Sequence, residues 1–84
     1  MKNQTIAVKI VIQIQDNSIF TYTGITDFME DRLYTVNNIK KVNIFIFENY
    51  NRKASYLIMG DNITKEYITH TAIEFLENYI RNDD

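Results

Sequence analysis

The C-terminal segment from Thr64 to Asn82 reads TKEYITHTAIEFLENYIRN, and the rest of the fold is organised around it. Its apolar residues recur at the spacing of one face of an α-helix, and most of its charged residues gather on the opposite side. The apolar positions are Ile68, Ala72, Phe75, Leu76 and Tyr79. Because an amphipathic helix cannot bury this face alone, the upstream segments must supply the surface that it covers.

Four upstream segments have the composition of β-strands. The first has isoleucine or valine at every even position, with Lys9 and Gln13 among the intervening residues, a period-two pattern that is typical of a strand with one buried face. A three-residue loop at Asp16-Asn17-Ser18 is expected to pair Ile14 with Phe20. The predicted strands are Ile6 to Ile14, Ile19 to Ile25, Val42 to Phe47 and Ala54 to Met59.

A short helix is expected to begin at Asp27, because Asp27 and Glu30 have the spacing of a reciprocal capping box. Its apolar side would consist of Phe28, Met29, Leu33 and Val36, and Asn37-Asn38 would end it. The alternative interpretation of Asp27, Glu30 and Asp31 is a carboxylate site, which the sequence supports less well because it places no histidine nearby.

The resulting order ββαββα predicts an α+β two-layer sandwich, with a four-stranded antiparallel sheet beneath the short helix and the long C-terminal helix. A right-handed crossover through the short helix gives the strand order 2-1-3-4. Because no linker, repeat or low-complexity segment interrupts the chain, residues 1–84 are expected to form a single domain.

The amino-acid composition argues against several classes of function and kinds of site. The net charge of −2 and the isoelectric point near 5.3 lack the basic excess of a non-specific nucleic-acid binder. Without cysteine there are no disulfides and no thiolate ligands for zinc. No stretch has the length of a membrane span or the pattern of a signal peptide, so a cytoplasmic protein is expected. Residue types with AT-rich codons (Phe, Tyr, Met, Ile, Asn and Lys) supply 44 of the 84 positions, which indicates an AT-rich genome.

No catalytic, cofactor-binding or metal site is predicted. Glu66, His70 and Glu74 are spaced i, i+4, i+8 on the C-terminal helix and could share a cation, but solvent-exposed i, i+4 pairs explain them better. Ser18 and Ser55 have neither a glycine elbow nor a paired histidine near them in the sequence, so nucleophilic catalysis lacks support.

The main functional signal is an excess of apolar residues in the third and fourth predicted strands. One parity supplies Val42, Ile44, Ile46, Tyr56 and Ile58, and the other supplies Phe45, Phe47, Leu57 and Met59. Helices on one side of the sheet cover only one of these sets. The second set therefore faces outward, unless the short helix lies on the opposite side of the sheet.

The favoured hypothesis is a non-catalytic protein–protein interaction module with a partner of unknown identity, such as an inhibitor of a host protein encoded by a phage or mobile element. Its predicted contacts are Phe45, Phe47, Leu57 and Met59, with Tyr50 and Arg52 from the adjacent turn. A homodimer, formed face to face or edge to edge, would also cover this surface. The alternative is a nucleic-acid-associated protein that uses the basic residues Lys9, Lys40, Lys41, Arg52 and Lys53.

Overall fold

The computed structural model describes residues 5–31, 39–61 and 63–82. It confirms the ββαββα order and the α+β fold, with an antiparallel four-stranded sheet in the order β2-β1-β3-β4. The elements are β1 (Ile6–Ile14), β2 (Ile19–Thr23), α1 (Ile25–Glu30), β3 (Ile39–Glu48), β4 (Asn51–Met59) and α2 (Lys65–Asn82).

Both helices pack on the same face of the sheet. Phe28 of α1 meets Tyr22 edge to face with ring centroids 5.3 Å apart, and Phe75 of α2 lies 5.4 Å from Tyr56. The even-numbered residues of β1 and, from Val42 onward, of β3 point toward the helices, and burial of their side chains is a major source of hydrophobic stabilisation. The largest fully buried residues are Ile10, Val42, Ile44, Ile46 and Ile68.

The β1–β2 hairpin has the predicted loop length but a different register. Ile12 pairs with Phe20, and the Ile14 amide donates to the Ser18 carbonyl, so the pairing is shifted by two residues from the prediction and the loop is residues 15–17. The reason is Asn17, which adopts φ 72 and occupies the left-handed position that glycine usually fills in such loops. The shift preserves which side chains face the core.

The prediction that α1 begins with a capping box at Asp27 is wrong. Gly24, with φ 115, turns the chain out of the sheet directly into a helix at Ile25, and no side chain caps its first turn. Asp27 lies within the helix and accepts a hydrogen bond from the Thr23 hydroxyl at 3.5 Å. Leu33, Val36, Asn37 and Asn38 lie outside the described residues.

The start of α2 matches the sequence prediction. The Thr64 hydroxyl accepts a hydrogen bond from the Tyr67 amide at 3.1 Å, which caps the helix, and Ile63 and Ile68 are both buried. Near the other end, the Tyr79 hydroxyl donates to the carboxylate of Glu48 at 2.6 Å. Since Glu48 is the only charged residue buried in the described part of the chain, this bond attaches the end of α2 to the sheet.

Candidate interaction surface

The face of the sheet opposite the helices is covered by neither helix, and we call it the open face. It consists of the odd-numbered residues of β1 and β2, those of β3 from Lys41 to Phe47, and Arg52, Ser55, Leu57 and Met59 of β4. The alternative in which α1 covers these residues is wrong, because Phe28 holds α1 on the core side. The outward position of the second apolar set is therefore confirmed.

Two phenylalanines with a cation over each ring form the centre of the open face. Phe45 and Phe47 are neighbours on β3, one of the two central strands, and both are half-buried. The Lys9 ammonium lies 5.3 Å from the ring centroid of Phe47, and the Arg52 guanidinium lies 5.2 Å from that of Phe45. Such contacts orient long basic side chains across an aromatic surface, so both cations are available to a partner.

Charge is segregated between the two sides of the molecule. Among the residues that the structure describes, Lys9, Lys41 and Arg52 are the charged residues of the open face, and all three are cations. The described acidic residues lie in turns, on the helices or, as Glu48, on the core side. A protein with a net charge of −2 thus presents a face with a positive potential, which attracts anionic groups.

The open face also carries two well-exposed apolar residues on its outer strand, β4. Leu57 and Met59 keep 52% and 66% of their side chains exposed, and they lie opposite Asn43 and Lys41 of β3. With the phenylalanines they place four apolar side chains on the β3–β4 half of the open face. Exposed apolar groups gathered in this way are typical of a protein-interaction surface.

The structure brings together five of the six predicted contact residues. Phe45, Phe47, Leu57, Met59 and Arg52 share the open face, where Arg52 belongs to β4 rather than to the turn. Tyr50 lies apart from this face, at the tip of the β3–β4 hairpin. Of the other predicted basic residues, Lys40 and Lys53 are exposed and occupy the extra positions at two β-bulges.

Tyr50 is held in an unfavourable backbone conformation. The hairpin closes with a two-residue turn in which Asn49 has φ 54 and Tyr50 has φ 70, where asparagine followed by glycine is the preferred sequence. A bulky residue in the left-handed region is strained, and 89% of Tyr50 is exposed, so little packing offsets that strain.

We expect Tyr50→Gly to raise stability by about 1 kcal/mol, because glycine adopts this conformation without strain. For a domain of this size the melting temperature should rise by about 5 °C in differential scanning calorimetry. Asn49→Gly is the matched control and should change the melting temperature little, since asparagine tolerates the left-handed region. A lower melting temperature for Tyr50→Gly would show that packing of the ring stabilises the turn.

The polar side of α2 carries a histidine beside an acidic residue, both exposed. His70 lies 3.3 Å from Glu74, and both side chains are largely in solvent. Within residues 5–31, 39–61 and 63–82, no three His, Asp or Glu residues come close enough to hold a metal ion. In the same part of the chain, none of the helices combines the length and apolarity needed to cross a membrane.

Comparison with known protein families, curated proteins and solved structures finds no match to this chain. The open face is therefore the feature from which a function can be inferred. Sequence reasoning missed the paired contacts of Lys9 and Arg52 with the phenylalanines, because they depend on the register of three strands. The available signal was Lys9, the one charged residue of the first predicted strand, at an odd position.

Proposed function

We propose that this protein is a non-catalytic interaction module that binds a protein partner through its open face. The observation that supports this most is the uncovered pair Phe45 and Phe47 with Lys9 and Arg52 over the rings. Aromatic residues and arginine contribute most to binding energy at protein interfaces, above all where they are surrounded by apolar contacts. Leu57 and Met59 provide such contacts on the adjacent strand.

The charge of the open face specifies the chemistry of the partner. A partner that buries Lys9 and Arg52 must supply carboxylates, because an unpaired buried charge costs several kcal/mol. We therefore expect an apolar partner surface with acidic residues near its centre, and an association that slows as salt concentration rises. By binding there, the chain would act as an inhibitor through occlusion of its partner's surface. We further propose that the protein acts in the cytoplasm. We also propose that its gene comes from an AT-rich phage or mobile element.

The second candidate is a single-stranded nucleic acid on the same face. Successive bases stack on aromatic side chains while cations contact the phosphates, and Phe45 and Phe47 with Lys9, Lys41 and Arg52 offer both kinds of group. The absence of acidic residues from the described part of this face favours nucleic-acid binding, despite the net charge of −2. Treatment of a captured complex with nuclease distinguishes the candidates, since only a protein partner survives it.

We also propose a homodimer, formed through the outer edge of β4. A face-to-face dimer would bring Lys9 and Arg52 of two copies together without counter-charges, which opposes that arrangement. At the edge, the arginine, lysine and bulge near the start of β4 discourage pairing, whereas the stretch from Ser55 to Met59 carries no such protection. Two copies paired there would join their open faces side by side.

We expect light scattering coupled to size exclusion to give twice the 10.0 kDa chain mass at micromolar concentration. Leu57→Lys should restore the monomer, because a charge at the paired edge opposes strand addition. Ile19→Lys is the matched control on the other edge strand, β2, and should leave the dimer intact. A wild-type chain that is monomeric across the micromolar range would rule out the dimer, and dissociation by Ile19→Lys alone would move it to β2.

The proposal as a whole is tested by capture of a partner with the wild-type chain and with a variant that carries Phe45→Glu and Phe47→Glu. Loss of the partner from the variant, with the fold retained, is the expected result. Equal capture by both chains would show that the open face does not bind the partner.

A further inference from the structure

β1 is longer than the strand that pairs with it on one side. Its pairing with β3 begins at Ile6, whereas its pairing with β2 begins only at Lys9, opposite Thr23. Beyond Thr23 the chain turns at Gly24 and leaves the sheet as α1. Among the described residues, no strand therefore continues β2 alongside Ile6 to Val8.

The hydrogen-bonding groups of Ile6 and Val8 point toward this gap. In an antiparallel sheet, successive residues of a strand direct their amide and carbonyl groups to opposite neighbours. Ile14 bonds to Ser18 on the β2 side, and Thr5 bonds to Asn49 on the β3 side. Even residues of β1 therefore point toward β2, so Ile6 and Val8 present amide and carbonyl groups to an edge without a described strand partner.

A cavity of about 560 Å³ lies along the same edge. On the core side it is lined by Ile6, Val8, Ile25 and Leu76, which are apolar. On the open-face side it reaches Lys9, the one charged residue among its lining. An unpaired strand edge beside an apolar cavity provides both parts of peptide recognition by strand addition: main-chain bonds for affinity and a side-chain pocket for specificity.

We propose that Ile6 to Val8 bind an extended peptide that adds to the sheet antiparallel to β1, in line with β2, and that the peptide carries an apolar residue flanked by acidic residues. The apolar side chain, opposite Ile6, enters the cavity between Ile25 and Leu76, because the position opposite Lys9 is already occupied by Thr23. The next residue lies opposite Ala7, which is small and exposed, and points to the open-face side. There a carboxylate meets Lys9, so charge complementarity selects an acidic residue at that position.

The test uses a labelled peptide whose central sequence is Thr-Glu-Ile-Glu-Thr, added to the isotope-labelled full chain and followed by NMR and amide hydrogen exchange. We expect exchange at Ile6 and Val8 to slow by at least about tenfold at saturation, since both amides become bonded. Methylation of the backbone nitrogen of the peptide's isoleucine should abolish binding, because that N–H faces β1. Methylation at its glutamates should not, because those N–H groups face away from β1.

Charge reversal tests the specificity. Replacing the peptide's glutamates with lysines should weaken binding by roughly fivefold, and Lys9→Glu should reverse the preference. Lys41→Glu, the same change at the far end of the open face, should leave peptide binding unaltered.

Three results would overturn the proposal. The first is that Ile6 and Val8 amides exchange equally fast with and without millimolar peptide. The second is equal binding of the peptide methylated at isoleucine, which would exclude strand addition. The third is protection of both amides in the peptide-free chain that increases with protein concentration, which would assign this edge to a second copy of the chain.

Discussion

Ile12→Asp is expected to abolish cooperative folding. Ile12 belongs to the central strand β1 and points into the core beneath the helices, where it is buried. A carboxylate at this position would have no partner, and burying it costs several kcal/mol. The free energy of unfolding of a small domain is only ~5–15 kcal/mol, so this single substitution should cancel most or all of it. Circular dichroism on heating should show no cooperative transition.

Val11→Asp is the matched control, because it places the same carboxylate on the adjacent residue but on the open face. There it is half-exposed on a surface whose charged residues are Lys9, Lys41 and Arg52, so the fold should be retained with a modest loss of melting temperature. Cooperative melting of Ile12→Asp within a few degrees of wild type, or unfolding by Val11→Asp instead, would show that the two faces of the sheet are assigned the wrong way round.

Phe45→Glu combined with Phe47→Glu is expected to eliminate partner binding and leave the chain folded. Both rings lie outside the core, and the new carboxylates would lie beside Lys9 and Arg52, whose charges compensate them. Binding should fall by at least about a hundredfold, since removal of a central aromatic residue often costs 2 kcal/mol or more. A pull-down with melting curves on the same samples measures both quantities.

The control for that experiment is Ile73→Glu with Ile80→Glu, which changes two partly exposed isoleucines on α2. These substitutions add the same charge on the opposite side of the molecule and should leave partner capture unaltered. Unfolding of the phenylalanine variant would show that the open face is part of the core. If only the α2 variant lost capture, the partner would bind the helices rather than the open face.

The order of elements and strands could be predicted because the relevant signals are local. Alternation along Ile6–Ile14, helical spacing after Thr64 and the handedness of crossover connections are all readable from the sequence. The register of the β1–β2 hairpin could not be predicted, because it depends on one backbone angle at Asn17. The start of α1 was missed for a similar reason, since the conformation of Gly24 outweighed the cap-like spacing of Asp27 and Glu30.

The candidate surface was only partly predictable. The outward apolar set followed from parity, but its relation to charge depended on the pairing of distant segments. Lys9 lies opposite Phe45 across β1 and β3, and a two-residue turn with a bulge places Arg52 opposite Phe47. Strand pairing therefore brings Lys9 and Arg52, which are far apart in the sequence, together at the centre of the open face. Local sequence patterns could not predict this.

The most direct test of the open face is methionine oxidation in the partner complex, because the chain carries its own control. Met59 lies on the open face and is 66% exposed, whereas Met29 lies on α1 and is 52% exposed. Mild peroxide treatment followed by mass spectrometry reports the accessibility of each thioether. Both should oxidise in the isolated chain, and in the complex the oxidation of Met59 should be suppressed while that of Met29 proceeds. Protection of Met29 with continued oxidation of Met59 would contradict the assignment of the open face as the binding surface.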